Sequence, residues 1–294
     1  MNVISKLGRG LSRLLEAEPA GVDDAWRTVE RMTAVCAVIS SLEQLSARGD
    51  RSRESTLPWG ITRVRLRRLN QGRGRRLGEA VLPRDEAMAA VRLAAGARLL
   101  LGRPGHTERT LLLAVLASTG ITGHIRNGGL GMDGSDHLST VNFTTALLDK
   151  FPGNTKGDRT AVLCSLALQS ALAYSTSGLV KLTSPTWRSG DAITGVLRTK
   201  TYGDRDLFSL VQGRPALAKA MAWSVIVAET AFPVVLVLPP RAARACFAAG
   251  VVFHLANGRY MGLNRFLWAF TATYPAVDFA RGRLRAALPR AGRS

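Results

Sequence analysis

The chain has few cysteines, few aromatic residues and few acidic residues. Its three cysteines, Cys36, Cys164 and Cys246, each lie inside an apolar stretch and form no CxxC pair. This pattern indicates buried thiols and gives no sign of a disulfide framework or a zinc site. Walker phosphate loops and the HExxH and GxSxG motifs are also absent, which argues against nucleotide hydrolysis, zincin proteolysis and an α/β-hydrolase.

A cleavable signal peptide is not apparent either. The first 27 residues include Glu16, Glu18, Asp23 and Asp24 and hold no apolar run of signal-peptide length. Residues 3–15 instead alternate apolar and basic side chains at helical spacing, which predicts an amphipathic cytoplasmic segment within residues 1–27. We therefore expect membrane insertion to start from an internal span.

Charge is plentiful but unevenly placed along the chain. Lys and Arg number 40 and Asp and Glu 21, which gives a net charge of +19, while 46% of the residues are hydrophobic. The basic residues cluster between apolar stretches, as in membrane proteins, which confine charge to loops and helix ends. Zinc-finger, helix-turn-helix and ribonucleoprotein motifs do not accompany the arginines, so we expect membrane lipid as a partner and no nucleic acid.

Hydropathy predicts an all-α integral membrane helix bundle of seven or eight segments. A helix that crosses a hydrocarbon core of about 30 Å needs about 20 mainly apolar residues. The segments form one predicted membrane domain, residues 28–280, followed by a basic cytoplasmic tail, residues 281–294. They are residues 28–45, 88–102, 110–123, 137–148, 160–182, 216–238, 242–255 and 263–277, with a partly helical connection before residue 215.

The short loops give this bundle an orientation through the positive-inside rule. Basic residues at 103–109, at 239–244 and in the tail place these regions and both termini in the cytoplasm of a multi-pass cell-membrane protein. The connections 126–137, 181–215 and 258–262 then lie outside. The connection 47–85 also falls outside although it holds eleven arginines. That loop conflicts with the rule, so its side of the membrane is left open.

Residues 171–193, ALAYSTSGLVKLTSPTWRSGDAI, carry the most distinctive pattern in the chain. The apolar segment that begins near Thr160 has no charge until Lys181, and it breaks at Pro185. A lysine in this position either extends its ammonium to the lipid headgroups or is held in a pocket for chemistry. The sequence leaves both interpretations of Lys181 open.

Other polar residues are predicted at the same outer level as Lys181. His137 begins a segment there, and His254 and Asn257 end another. Glu229 lies in mid-span, where an unpaired carboxylate is so costly that it marks a functional candidate. Structural alternatives are a hydrogen bond from His254 to a neighbouring helix, and a Glu229 that is protonated or paired with Lys181 or an arginine.

The loop before the fourth segment contains residue types that can ligate a metal ion. Asp133, Asp136 and His137 supply oxygen and nitrogen atoms that metal ions accept. Polar loops often contain such a set by chance, and the spacing matches no specific metal motif. We predict no metal.

The order of these residues resembles a known membrane domain. SGLVKL is followed by Trp187, Gly190 and Ala192, while DH stands at 136–137, the mid-span acid at Glu229, and FHLANGRYMGLNRFLWAFTATYP at 253–275. Together they resemble the HTTM domain of the vitamin K-dependent γ-glutamyl carboxylase family over residues 28–277. The short bacterial form of this family is similar to the membrane protein of the sporulation-delaying toxin system.

This resemblance implies quinol chemistry. In the carboxylase family, the lysine at the Lys181 position deprotonates a reduced quinone, whose oxygenation yields the base that removes a proton from a substrate glutamate before CO2 adds. The resemblance implies that His137 assists at this site and that His254 and Asn257 lie in the same membrane cavity. We further expect Glu229 to tune the site and Trp187 to contribute to cofactor binding. The implied cofactor is a reduced quinone, either menaquinol or a vitamin K hydroquinone-like molecule.

The substrate and two rival functions are left open by the sequence. The chain stops soon after the last predicted span, so we expect it to lack the large extracytoplasmic domain with which the animal carboxylases hold a glutamate-rich substrate. This departure argues against carboxylation of proteins like that of the animal enzymes. The expected substrate is a secreted peptide or protein at the outer face. One rival is a non-catalytic membrane partner in the maturation of, or immunity to, a secreted peptide toxin. A transporter is disfavoured because no inverted repeat is visible.

Overall fold

The computed structural model describes residues 21–46, 85–127 and 132–287. Within these ranges the regular structure is helical and contains no strand. The predicted all-α class is therefore confirmed for the described part of the chain. Most of the predicted amphipathic segment 1–27, the arginine-rich connection 47–85 apart from Asp85, and the end of the tail 281–294 lie outside the described residues.

Twelve α-helices and one 3₁₀ helix follow one another in the described ranges. They are α1 (Val22–Ser46), α2 (Asp85–Leu101), α3 (His106–Asn127), α4 (Gly134–Asp149), α5 (Lys156–Thr183), α6 (Pro185–Ser189), α7 (Asp191–Leu197), α8 (Arg205–Val211), α9 (Pro215–Ala231), the 3₁₀ helix (Phe232–Val237), α10 (Pro240–Met261), α11 (Asn264–Thr271) and α12 (Tyr274–Ala287).

The chain divides into two compact units. The N-terminal unit comprises residues 27–158, and the C-terminal unit comprises residues 159–294 together with the residues up to Trp26. The membrane domain predicted over residues 28–280 runs through both units and stays a prediction.

Buried polar contacts connect the helices of the N-terminal unit. The side-chain amide of Asn142 in α4 donates to the hydroxyl of Thr33 in α1 at 3.1 Å, and both residues are fully buried. Arg109 of α3 donates to the carboxylate of Glu30 in α1 at 2.5 Å. Because buried polar groups are costly unless they are bonded, these contacts fix the packing of α1 against α3 and α4.

Arg92 shows how a charge is accommodated inside a predicted span. It is only 8% exposed, in the middle of α2. Its guanidinium donates to the carbonyl of Leu116 at 2.9 Å and to the hydroxyl of Thr119 at 3.2 Å in α3, and it lies 5.8 Å from the Phe143 ring centroid. These contacts offset the desolvation of the charge without any extension of the side chain to a headgroup.

Two stretches among the described residues are long and apolar enough to cross a membrane. They are Lys156–Thr183, which is α5, and Pro215–Val237, which is α9 with the 3₁₀ helix. At about 1.5 Å per residue, the 28 residues of α5 exceed a hydrocarbon core of about 30 Å. For the other predicted segments, membrane crossing stays a prediction.

Prolines set two helix breaks in the C-terminal unit. Residues 263–277 are predicted as one segment, but the structure divides them into α11 and α12, so a single uninterrupted helix is wrong there. Pro275 lies in the first turn of α12, where its missing N–H is harmless, whereas in a continuous helix its ring would meet the carbonyl of Thr271. Pro233 has the same effect after α9, where the chain tightens into a 3₁₀ helix.

Three short helices, α6 to α8, occupy the connection between α5 and α9, as predicted. Gly190 joins α6 to α7 with φ at 95°, and a Cβ there would lie too close to the backbone of α9 at Lys219. A small hydrophobic core then packs these helices onto α9. Its buried members are Ile193, Leu197, Val211, Ala218 and Ala222.

Candidate functional site

Lys181 forms the centre of a polar cluster in the C-terminal unit. It lies in the last turn of α5. Its Nζ donates to Oε2 of Glu229 in α9 at 2.6 Å and to Oγ of Ser177, one turn back in α5, at 2.5 Å. The same nitrogen lies 5.2 Å from the ring centroid of Trp187 in α6. The ammonium is therefore held by a carboxylate, a hydroxyl and an aromatic face.

Two local features of the sequence, a glycine in α5 and a proline after α9, position this cluster. Gly178 lets α5 approach α9 closely, since a Cβ at this position would collide with the backbone nitrogen and the hydroxyl of Thr230. Pro233 ends the regular helix just after Glu229, and the N–H of Phe232 donates to the Glu229 carbonyl. Lys181, just after Gly178 in α5, is therefore brought face to face with Glu229, just before Pro233 at the end of α9.

An apolar cavity of about 460 Å³ adjoins this ion pair. Glu229 forms part of its wall and is the only carboxylate among the described residues that line it. The volume falls within the range of about 300–1,000 Å³ that is usual for small-molecule sites. The main lining residues besides Glu229 are Tyr174, Val227, Phe232, Val234, Val235, Leu238, Cys246, Gly250, Phe253 and Tyr274.

A group of aromatic residues, connected by hydrogen bonds and ring stacking, forms part of the cavity wall and extends behind it to His254. The hydroxyl of Tyr174 is 2.7 Å from Nε2 of His254 and 3.0 Å from the hydroxyl of Tyr274. His254 is 2% exposed, and its Nδ1 is buried without a hydrogen-bond partner among the described residues. The ring of Phe232 stacks on that of Tyr174 at 4.1 Å. This group links α5, α10 and α12 beside the cavity.

The structure brings some predicted site residues together and places others elsewhere. Lys181 contacts both Glu229 and Trp187, and His254 reaches the cavity through Tyr174. Asn257 lies at the end of α10, where its backbone carbonyl accepts the N–H of Leu263 at 3.2 Å, and it is not among the lining residues.

His137 belongs to the N-terminal unit. It is exposed near the start of α4, and its ring centroid lies 4.3 Å from that of His124. His124 follows the predicted span 110–123, and its Nε2 is 3.3 Å from the hydroxyl of Thr140. Burial lowers the pKa of His124 below its ordinary value, and the adjacent His137 lowers it further. The two histidines form a local pair, and the positively charged form of His124 is disfavoured in it.

The two aspartates considered as metal ligands have a structural role. Asp133 is the N-cap of α4, and its carboxylate accepts the backbone N–H groups of Ser135 and Asp136. The Asp136 side chain in turn accepts the N–H of Asp133 at 3.2 Å. This reciprocal arrangement is a capping box, which explains the spacing of the two acids without an ion.

Sequence reasoning missed Tyr174 and Tyr274 as members of the site. A signal for Tyr174 was present, because Tyr174, Ser177, Gly178 and Lys181 recur at i, i+3, i+4 and i+7 and so share one face of α5. Burial of all three cysteines was also expected, but only Cys36 is buried, while Cys246 is exposed and lines the cavity. Cys246 lies on the side of α10 that faces the cavity and not a neighbouring helix.

Comparison with known proteins adds no relative to this description. No family model matches the chain, and no curated protein or solved structure matches it.

Proposed function

We propose that this chain is a multi-pass membrane enzyme of the vitamin K-dependent carboxylase type. It binds a reduced membrane quinone in the apolar cavity, and the Lys181–Glu229 pair accepts a proton from the bound molecule. One observation carries the proposal: the ion pair joins two helices and places a carboxylate in the wall of a cavity that is otherwise mainly apolar.

A reduced quinone suits the chemistry of this cavity. Its flat ring and isoprenoid chain are apolar, which matches walls built from Phe232, Val235 and Phe253. Its hydroxyl groups need polar partners, and the hydroxyls of Tyr174 and Tyr274 and the carboxylate of Glu229 belong to lining residues. When bound, this group supplies an acidic phenolic hydroxyl and, with oxygen as co-reactant, the oxidative half of the reaction.

The ion pair can accept a proton in either of two arrangements. With an ammonium at Lys181 and a carboxylate at Glu229, the proton from a hydroxyl in the cavity passes to a Glu229 oxygen, and the nearby ammonium offsets the charge left behind. If the ammonium has first given its proton to Glu229, the neutral amine accepts instead. Ser177 and Trp187 hold Nζ in place in both cases.

The apolar walls strengthen this electrostatic effect. Water is disfavoured in a cavity with such a lining, and interactions between charges are stronger at the lower effective dielectric. The acceptor is expected to be a glutamate in a secreted peptide or protein at the outer face. That part of the proposal rests on the family resemblance alone.

The test uses the purified full chain in lipid nanodiscs, supplied with a reduced naphthoquinone and oxygen. Hydroquinone and oxygen give quinone epoxide and water, and mass spectrometry follows the epoxide. We expect Lys181→Met to lower the rate by at least about a hundredfold, which is the usual scale for loss of a general base. Lys219→Met removes an exposed lysine from α9 and should leave the rate unchanged.

Folding must be measured alongside activity, since Lys181 also pairs with Glu229. The thermal unfolding midpoint of each variant identifies any that is unfolded at the assay temperature. Equal epoxide formation by folded wild-type protein and folded Lys181→Met, or none by the folded wild type, would overturn the proposal.

A further inference from the structure

We propose that a cavity in the N-terminal unit, separate in sequence from the site above, binds a phosphate group. The cavity has a volume of about 390 Å³ and lies where α1, the end of α2 and the start of α3 meet. Its lining residues are Arg27, Glu30, Arg31, Leu99, Gly102, Arg103, Pro104 and Arg109. The inference does not depend on the proposed function.

The charges around this cavity favour an anion. Four arginines and one glutamate line it, an excess of three positive charges. One oxygen of Glu30 accepts a hydrogen bond from Nε of Arg109 at 2.5 Å. Its other oxygen lies 3.9 Å from Nζ of Lys150 and has no hydrogen-bond partner among the described residues. Arg31 and Arg103 therefore add positive charge to the cavity beyond what this one carboxylate can neutralise.

Arg109 presents a buried donor that protein atoms do not satisfy. Its Nε is bonded to Glu30, but its Nη2 is buried and has no hydrogen-bond partner among the described residues. A buried donor without a partner is destabilising, and more so when the group is charged. An oxygen of a bound anion would satisfy Nη2, while the bond to Glu30 keeps the guanidinium in a fixed orientation.

Phosphate is the anion that this arrangement fits best. A guanidinium binds phosphate oxygens through paired, parallel N–H bonds, and several arginines around one cavity can share the oxygens of a single group. Arg31 and Arg103 are exposed on two different elements, α1 and the connection between α2 and α3. They can therefore bind one phosphate from two sides of the cavity.

The phosphate can belong to a lipid headgroup or to a free phosphate ester. The connection 103–109 is predicted to be cytoplasmic, where anionic lipids attract clustered basic residues. A soluble phosphate would use the same guanidinium groups. The chemistry of recognition is common to both sources, and the experiment distinguishes them.

The test compares wild type with Arg31→Gln/Arg103→Gln in detergent solution. Native mass spectrometry measures retention of phosphatidylglycerol against phosphatidylcholine, and thermal unfolding measures stabilisation by inorganic phosphate, since a ligand that binds only the folded state raises the midpoint. The control, Arg198→Gln/Arg205→Gln, removes the same charge from exposed positions in the C-terminal unit. Arg103→Gln alone replaces the double variant if the latter does not fold.

Each outcome has a defined meaning. Selective retention of phosphatidylglycerol by wild type and control, reduced at least about tenfold in the double variant, supports a lipid phosphate site. Stabilisation by inorganic phosphate that is lost in the same variant supports a site for a soluble phosphate. If neither ligand distinguishes the double variant from the control, the cavity is not a phosphate site.

Discussion

At the scale of single residues, Lys181 and Glu229 combine a structural contribution with the proposed chemical one. An exposed ion pair contributes about 0–1 kcal/mol, whereas removal of one partner from a buried pair costs about 3–5 kcal/mol. These side chains are 17% and 12% exposed, which places the pair nearer the buried case. A loss of activity on substitution therefore has meaning only in protein whose folding has been measured.

The hydroxyl of Tyr174 gives a prediction at this scale. Tyr174→Phe removes one oxygen atom and with it the hydrogen bonds to Nε2 of His254 and to the hydroxyl of Tyr274. Because both partners are buried, we expect the free energy of unfolding to fall by about 1–3 kcal/mol. The measurement is the unfolding midpoint in detergent, by circular dichroism.

Tyr202→Phe is the matched control for this substitution. Tyr202 is 39% exposed, and loss of its hydroxyl should change the free energy of unfolding by less than about 0.5 kcal/mol. Equal midpoints for Tyr174→Phe, Tyr202→Phe and wild type would show that the buried hydrogen bonds contribute no net stability.

At the scale of the elements, the sequence predicted helices better than it predicted their interruptions. The span expected over residues 160–182 corresponds to α5, Lys156–Thr183, because a long uncharged stretch leaves little choice of local structure. The sequence did not predict the break between α11 and α12, although Pro275 lies there. A proline that kinks a helix and a proline in the first turn of a new helix look the same in sequence, and only the tertiary context distinguishes them.

The candidate site was predictable to the extent that one helix contains it. The face of α5 that carries Lys181 is fixed by helical spacing, and Glu229 was recognised because an acid in an apolar span is costly. The contact between Tyr174 and Tyr274 joins residues 100 positions apart. Local periodicity holds no information about such a pair, so only the packed structure reveals it.

The close approach of α5 and α9 at Gly178 gives a prediction for an element. Gly178→Ala places a methyl group against the backbone nitrogen of Thr230, and backbone cannot move aside as a flexible side chain can. We expect α5 and α9 to separate and the Lys181–Glu229 bond to lengthen. The free energy of unfolding should fall by about 1–3 kcal/mol, as measured by the thermal midpoint.

Gly157→Ala is the control on the same helix. A Cβ at Gly157 meets only the hydroxyl oxygen of Thr155, at an ordinary contact distance of 3.5 Å. Alanine favours a helix over glycine, so this variant should be as stable as wild type or slightly more so. If both variants are equally stable, the α5–α9 interface tolerates the extra carbon and the argument from Gly178 is wrong.

At the scale of the whole molecule, charge and hydropathy together predict how the chain sits in a membrane. The net charge is +19, and the basic residues cluster in connections, as they do in membrane proteins. Two stretches, α5 and α9 with the 3₁₀ helix, have the length and composition of membrane spans. The positive-inside rule then assigns the turn before α5 to the cytoplasm and the connection between α7 and α8 to the outside.

This topology is tested with single cysteines in a cysteine-free background. Pro152→Cys lies in the exposed turn before α5, and Lys200→Cys lies in the exposed connection after α7. A membrane-impermeant maleimide added to intact cells should label Lys200→Cys, and should label Pro152→Cys only after permeabilisation, because α5 separates the two positions across the bilayer. Labelling of both in intact cells would show that α5 does not span, and the reverse pattern would invert the orientation, placing the arginine-lined cavity of the N-terminal unit away from the cytoplasmic lipids.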